Sequence, residues 1–114
     1  MERVRRPAPA VFRSKELDEF IRGLDPGDRR RIWVEDMERV LKENMYAGDL
    51  IPRRQIPSYY VEHYGVTNLY RYRHPEGYRS CYTLFNREGL GVCPTILDLM
   101  THRAYERRFG YRSS

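Results

Sequence analysis

Arg71 and Arg73 stand in the run VTNLYRYRH, and Arg79 in the run YRSCYTLF that follows the turn sequence PEG. His102 and Tyr105 stand three residues apart further on, in THRAY. Alternate side chains of a strand face opposite ways, so Leu69, Arg71 and Arg73 would share one face while Tyr70 and Tyr72 share the other. Two guanidiniums would then lie about 7 Å apart, close to the spacing of neighbouring phosphates in a nucleic-acid strand. On the returning strand Arg79, Cys81, Thr83 and Phe85 would share a face, opposite Tyr78, Ser80, Tyr82 and Leu84. Arginine forks clamp phosphate but do not deprotonate at working pH, so a proton acceptor must be sought elsewhere. Near neutral pH the residue type best suited to take or give a proton is histidine.

These residues need a sheet to hold them. His74-Pro75-Glu76-Gly77 carries turn chemistry, and Asn86 to Gly91 reads as a second turn. Val92 to Met100 is apolar apart from Thr95 and Asp98, as expected of an interior strand, with Pro94 near its start or at a bulge. Thr101 is a candidate N-cap for a helix over 102–109, with Gly110 as its stop. His102 would then occupy the first helical position, where the helix dipole favours a nearby phosphate.

Upstream, Ser14 is a candidate cap for a short helix over 15–22, its apolar positions at Leu17, Phe20, Ile21 and Leu24. Asp25-Pro26 reads as a second cap, opening a helix from about 26 to 46 with an apolar face of Ile32, Trp33, Met37, Val40, Leu41 and Met45. So short a connection makes the pair an antiparallel hairpin. Residues 1–10 read as a flexible, extended arm, Ala10 to Arg13 as a short edge strand, and Ser58 to Tyr64 as one or two helical turns. The expected architecture is α+β: an N-terminal helical hairpin packed on a small, mainly antiparallel sheet of three or four strands, closed by a short C-terminal helix. All 114 residues form one domain.

The net charge of +5 is unevenly placed. Residues 1–50 carry 11 basic and 11 acidic side chains, while residues 51–114 carry 10 basic and 5 acidic ones, with nine of the ten tyrosines. Basic charge binds phosphates and aromatic faces stack on unpaired bases, which points to single-stranded RNA. A solvated sheet face with half-buried tyrosines has the same composition. Arg29, Arg30 and Arg31 lie beside Asp28, Glu35 and Asp36 and read as a locally paired helix face. His63, between tyrosines, reads as packed or surface. Cys81 and Cys93 fit two small apolar residues in a reducing compartment better than a disulfide, and without a nearby His pair they make a poor zinc site. No apolar run is long enough to span a membrane, and MERVRRPAPAVF lacks the apolar segment of a secretory signal, so a cytoplasmic protein is expected.

The order of elements, the hairpin LYRYRHPEGYRSCYTL with its Val-Thr-Asn-Leu lead-in, and the tail THRAYERRFGY with His-x-x-Tyr before Phe-Gly-Tyr resemble the RelE/ParE superfamily of type II toxin–antitoxin toxins. The resemblance covers roughly residues 11–111. It implies an mRNA interferase: an endoribonuclease that needs no metal or other cofactor and cuts messenger RNA, in many members on the ribosome, by attack of a ribose 2′-hydroxyl on its own 3′-phosphate. It implies Arg79 as the phosphate-stabilising arginine, and His102 and Tyr105 as acid/base and base-stacking groups. Arg71, Arg73 and Arg103 would contact RNA. It also implies a cognate antitoxin as partner. The ParE branch, which poisons DNA gyrase without any acid/base pair, and a degenerate RNA- or antitoxin-binding protein remain as alternatives. Several members place lysines on the sheet as base. This chain has none after Lys42.

Overall fold

The computed structural model describes residues 4–110. It is an α+β fold of four helices around a five-stranded mixed sheet. The strands are β1 (Phe12–Arg13), β2 (Asp49–Leu50), β3 (Tyr70–Arg73), β4 (Arg79–Arg87) and β5 (Gly91–Ile96). The helices are α1 (Lys15–Arg22), α2 (Arg29–Glu43), α3 (Ser58–Tyr64) and α4 (His102–Phe109). Across the sheet the order is β1-β5-β4-β3-β2, antiparallel except where β1 runs parallel to β5. Among the described residues no helix is long and apolar enough to cross a membrane.

α1 forms where its cap and spacing require it. Ser14 Oγ accepts from Leu17 N at 3.1 Å, and Leu17 and Ile21 bury one turn apart. α2 starts later than expected, because Asp28 rather than Asp25 caps it and accepts from Arg30 N at 2.8 Å. Residues 23–28 make a turn of their own, with Asp28 N donating to Asp25 O. The helices are therefore joined less tightly than a hairpin implies. Both place apolar side chains against one sheet face, where Leu17, Ile21, Val34, Met37 and Leu41 meet Tyr70, Tyr82 and Ile96. On the other face α3 and α4 contribute Tyr60 and Tyr105 to a second core with Leu69, Cys81, Leu97 and Met100.

The expected flexible arm is fastened instead. Ala8 is 5% exposed, its N–H donates to Lys42 O, and Met45 N donates to Arg6 O, so the arm satisfies backbone groups at the end of α2. Residues 1–3 lie outside the described residues, as does Tyr111 of the tail motif.

Three strand boundaries also differ, each for a visible reason. β3 begins at Tyr70 rather than Val66, because Asn68 turns its side chain onto β4: its Oδ1 accepts from Leu84 N at 2.8 Å and its Nδ2 donates to Leu84 O at 2.9 Å. One side-chain amide thus replaces a stretch of ladder. β5 stops at Ile96 because Asp98 bonds to the backbone of β4, and the chain returns only at Met100 to pair with Arg79. Pro94 sits mid-strand opposite Leu84, beyond the reach of β1. The unexpected β2 depends on Gly48, where a Cβ would lie 2.6 Å from Arg71 O and 2.7 Å from the Tyr82 ring. Cys81 pairs across from Arg71 and Cys93 from Phe85, so neither thiol faces the other and both are buried and free.

Candidate functional site

The β3–β4 register sets Arg73 opposite Arg79 and Arg71 opposite Cys81, so alternation brings Arg71, Arg73 and Arg79 to one face. Asp49, from the short edge strand β2, is the carboxylate that meets them: its Oδ2 lies 3.2 Å from Arg71 Nη2 and 3.6 Å from Arg73 Nε. Arg79 pairs with no carboxylate among the described residues. Its guanidinium donates to Gly77 O at 3.0 Å and to Tyr78 O at 3.3 Å. Burial, and then the charges of Arg73 and Arg71, hold its pKa below the usual guanidinium range. Three guanidiniums beside one half-exposed carboxylate, which pairs with two of them, leave an excess of positive charge, which is the electrostatics of an anion receptor.

His102 borders this cluster. Gly77, at φ 79° in the β3–β4 turn, comes so close to the start of α4 that an added Cβ would lie 3.4 Å from His102 Cβ. Arg79 N donates to Met100 O, Met100 N donates to Arg79 O, and Thr101 Oγ1 accepts from Ala104 N to open α4. Arg79 and His102 are therefore on the same side of the molecule, joined through Gly77. The imidazole is half-exposed, with Nε2 3.3 Å from Glu106 Oε2.

Tyr105 is placed differently from the expected role. It is 2% exposed and its ring stacks on Phe109 at 4.3 Å, so it has no face for a splayed base. Its hydroxyl instead accepts from Arg71 Nη1 at 3.4 Å and orients that guanidinium. Arg103 is exposed on α4 and bonds to none of the cluster. Arg30 and Arg31 are paired locally with Asp28 and Glu35, whereas Arg29 reaches Glu76 in the β3–β4 turn, 47 residues along the chain. His63 packs on Tyr59 and meets Glu16 at 2.5 Å.

Asp49 at the site, and the buried His74 on the opposite face of β3 from the arginines, are not evident in the sequence. Asp49 gave no periodic signal, because its strand is two residues long. His74 was read as turn chemistry, yet the alternation that puts Tyr70 and Tyr72 inward carries it inward too. It is 7% exposed, and its Nε2 lies 2.8 Å from Ser80 Oγ. Burial, and then the Arg79 charge, lower its pKa to about 4, so it is a neutral hydrogen-bonding group at neutral pH.

A pKa depressed in the fold makes the unfolded chain bind the extra proton. His74 should therefore cost stability as pH falls from about 6.5 toward 4, by about 3 kcal/mol over the whole window. Denaturant melts of wild type and His74→Gln across that range should converge as pH falls, the variant lacking this part of the slope. Equal slopes would mean the imidazole is not buried as described.

Against known proteins, no family model, no curated protein and no solved structure matches this chain, so what the site does must be argued from the geometry of Arg71, Arg73, Arg79, Asp49 and His102.

Proposed function

We propose that this protein is a metal-independent endoribonuclease that cuts messenger RNA, acting on the ribosome as the toxin of a toxin–antitoxin pair and neutralised by a cognate antitoxin. The observation that carries this reading is the convergence of three sheet arginines on one face, with a half-exposed imidazole beside Arg79. The 2′-oxygen attacks the adjacent phosphorus, the bond to the 5′-oxygen of the next nucleotide breaks, and a 2′,3′-cyclic phosphate and a 5′-hydroxyl result. The proton lost from the 2′-hydroxyl must go to a base, and the leaving oxygen must receive one. Arg79 and the Arg71–Arg73 pair supply donors to the dianionic phosphorane, worth more there than on the monoanionic diester.

Asp49 and His102 flank that position from opposite sides. Asp49 stems from β2, the outer neighbour of β3, and His102 follows Met100, which pairs outside β4, so the two come from opposite flanks of the β3–β4 hairpin. The His102 imidazole can take or give a proton, and the Asp49 carboxylate is an acceptor only. Binding phosphate at Arg71 and Arg73 releases Asp49 from its ion pairs, so substrate frees the carboxylate it needs.

Cuts mapped by primer extension in a translating lysate test the reading. His102→Ala should leave RNA binding intact and slow cleavage about 10²–10⁴-fold, the usual contribution of a positioned acid or base. Undiminished cutting by the variant would remove His102 from the chemistry. Intact transcripts with wild type, alongside stalled gyrase, would replace the nuclease reading with a ParE-like one.

A further inference from the structure

The face of β4 that carries Arg79 and Cys81 continues through Thr83 and Phe85 to Arg87. Arg87 lies roughly 20 Å along the strand from Cys81. A cavity of about 390 Å³ opens here, with Thr83, Phe85, Thr95 and Leu97 on the sheet side and Glu16 and His63 on the helix side. It is separate from the arginine cluster, because the core that packs on Cys81 lies between them.

Lys15 and Arg87 are the charges at this cavity with no carboxylate partner among the described residues, and Arg87 is the one fixed in place. Its guanidinium sits 4.1 Å from the centre of the Phe12 ring and 5.3 Å from that of Phe85. One N–H reaches Thr95 Oγ1 at 3.1 Å, Nε is buried without a partner, and no carboxylate among the described residues pairs with it. The other charges at the rim are already committed: Glu16 to His63 at 2.5 Å and Tyr64 at 3.3 Å, Arg13 to Glu38 and Asp18. Lys15 stands exposed at the mouth. The Thr95 hydroxyl accepts from Arg87, which leaves its own proton to donate. Phe85 is 56% exposed, an aromatic face open to solvent beside a fixed cation.

We propose that this cavity binds a mononucleotide, with its phosphate on Arg87, Thr95 and Lys15 and its base on the ring of Phe85. A guanidinium fixed beside two rings and bonded to Thr95 Oγ1 is pre-set to donate from its remaining N–H groups, which phosphate oxygens accept. A bare π-face accepts any base by stacking. The cavity's size suits one ligand rather than a length of strand. A free nucleotide and the phosphorylated end of an RNA present the same chemistry.

The test is a titration of the full chain with AMP, followed by amide chemical shifts and calorimetry. Shifts should map to Thr83, Phe85, Arg87 and Thr95. Arg87→Gln should weaken AMP at least tenfold, and Phe85→Ala about five- to tenfold, while the latter leaves inorganic phosphate unaffected. Arg79→Ala should leave AMP affinity unchanged. A 5′-phosphorylated trinucleotide that displaces AMP assigns the site to RNA ends, and one that fails to displace it assigns the site to free nucleotides. Absence of shifts at millimolar AMP overturns the proposal, as does binding lost in Arg79→Ala and kept in Arg87→Gln. Should Arg87→Gln melt far below wild type, the wild-type shift map and Phe85→Ala decide: shifts confined to the Arg71–Arg79 face defeat it.

Discussion

Arg79→Ala should lower the initial rate of RNA cleavage by about 10²–10³-fold, the loss typical of removing one fixed donor to a developing oxyanion. The protein should melt within a few degrees of wild type. The stability half of this expectation follows from the side chain's own partners. Among the described residues the Arg79 side chain bonds only to the carbonyls of Gly77 and Tyr78, within its own turn, and it is repelled by Arg71 and Arg73. Removing it loses two local hydrogen bonds and relieves a like-charge contact, effects of opposite sign and each about 1 kcal/mol. Arg79→Lys keeps the charge without the fork, and should fall between wild type and alanine. Loss of one phosphate contact should also reduce the slope of log affinity for single-stranded RNA against log salt by about 0.7. Wild-type cleavage by Arg79→Ala would empty the site of its central donor. A collapse in melting temperature would make Arg79 a structural residue, and the rate would then say nothing about chemistry.

Strong local signals carried the parts of the fold that were legible in the sequence. Ser14 and Thr101 both act as N-caps, and α1 and α4 span the expected residues because cap and stop bracket each within eight positions. The faces of the β3–β4 hairpin followed from alternation alone, including the gathering of Arg71, Arg73 and Arg79. What stayed hidden was set by side chains bonding to distant backbone, which leaves no periodic trace. Asn68 delays the start of β3, and Asp98 ends β5 early, each by contacting β4 across at least 15 residues of chain. The parallel β1 and the two-residue β2 are too short for any pattern, and β2 brings in Asp49. Tyr105 illustrates a different limit: its position on α4 was correct, but which face of a helix is buried depends on α3 and the sheet beneath it.

Asp98→Ala should destabilise the fold by about 3–4 kcal/mol, because it strips the carboxylate from a backbone N–H and a buried phenol at once. The Asp98 carboxylate accepts from Cys81 N at 2.8 Å and from the Tyr60 hydroxyl at 2.6 Å, with Arg108 3.8 Å away. Tyr60 is fully buried, and Arg108 is already a donor to its oxygen, so without Asp98 the phenolic proton is left with only the weak sulfur acceptor of Cys81. Burial raises the pKa of Asp98 above the ordinary aspartate value despite the hydrogen bonds from Tyr60 and Cys81 and the charge of Arg108. The native state therefore holds the Asp98 proton more tightly than the unfolded chain does. Its contribution is largest below the unfolded pKa of about 4 and declines as pH rises through the folded one. Asp98→Asn keeps an acceptor for Cys81 N, so it should cost much less than alanine and should abolish that decline. Urea melts of the three proteins at several pH values would check both points, and an alanine variant within about 1 kcal/mol of wild type would contradict the first. The consequence reaches the site, because the 97–100 segment that Asp98 anchors delivers Met100 to Arg79 and then opens α4 at His102. Loosening that anchor should slow cleavage by misplacing the imidazole, while leaving the arginine cluster, held by the β3–β4 ladder, able to bind RNA.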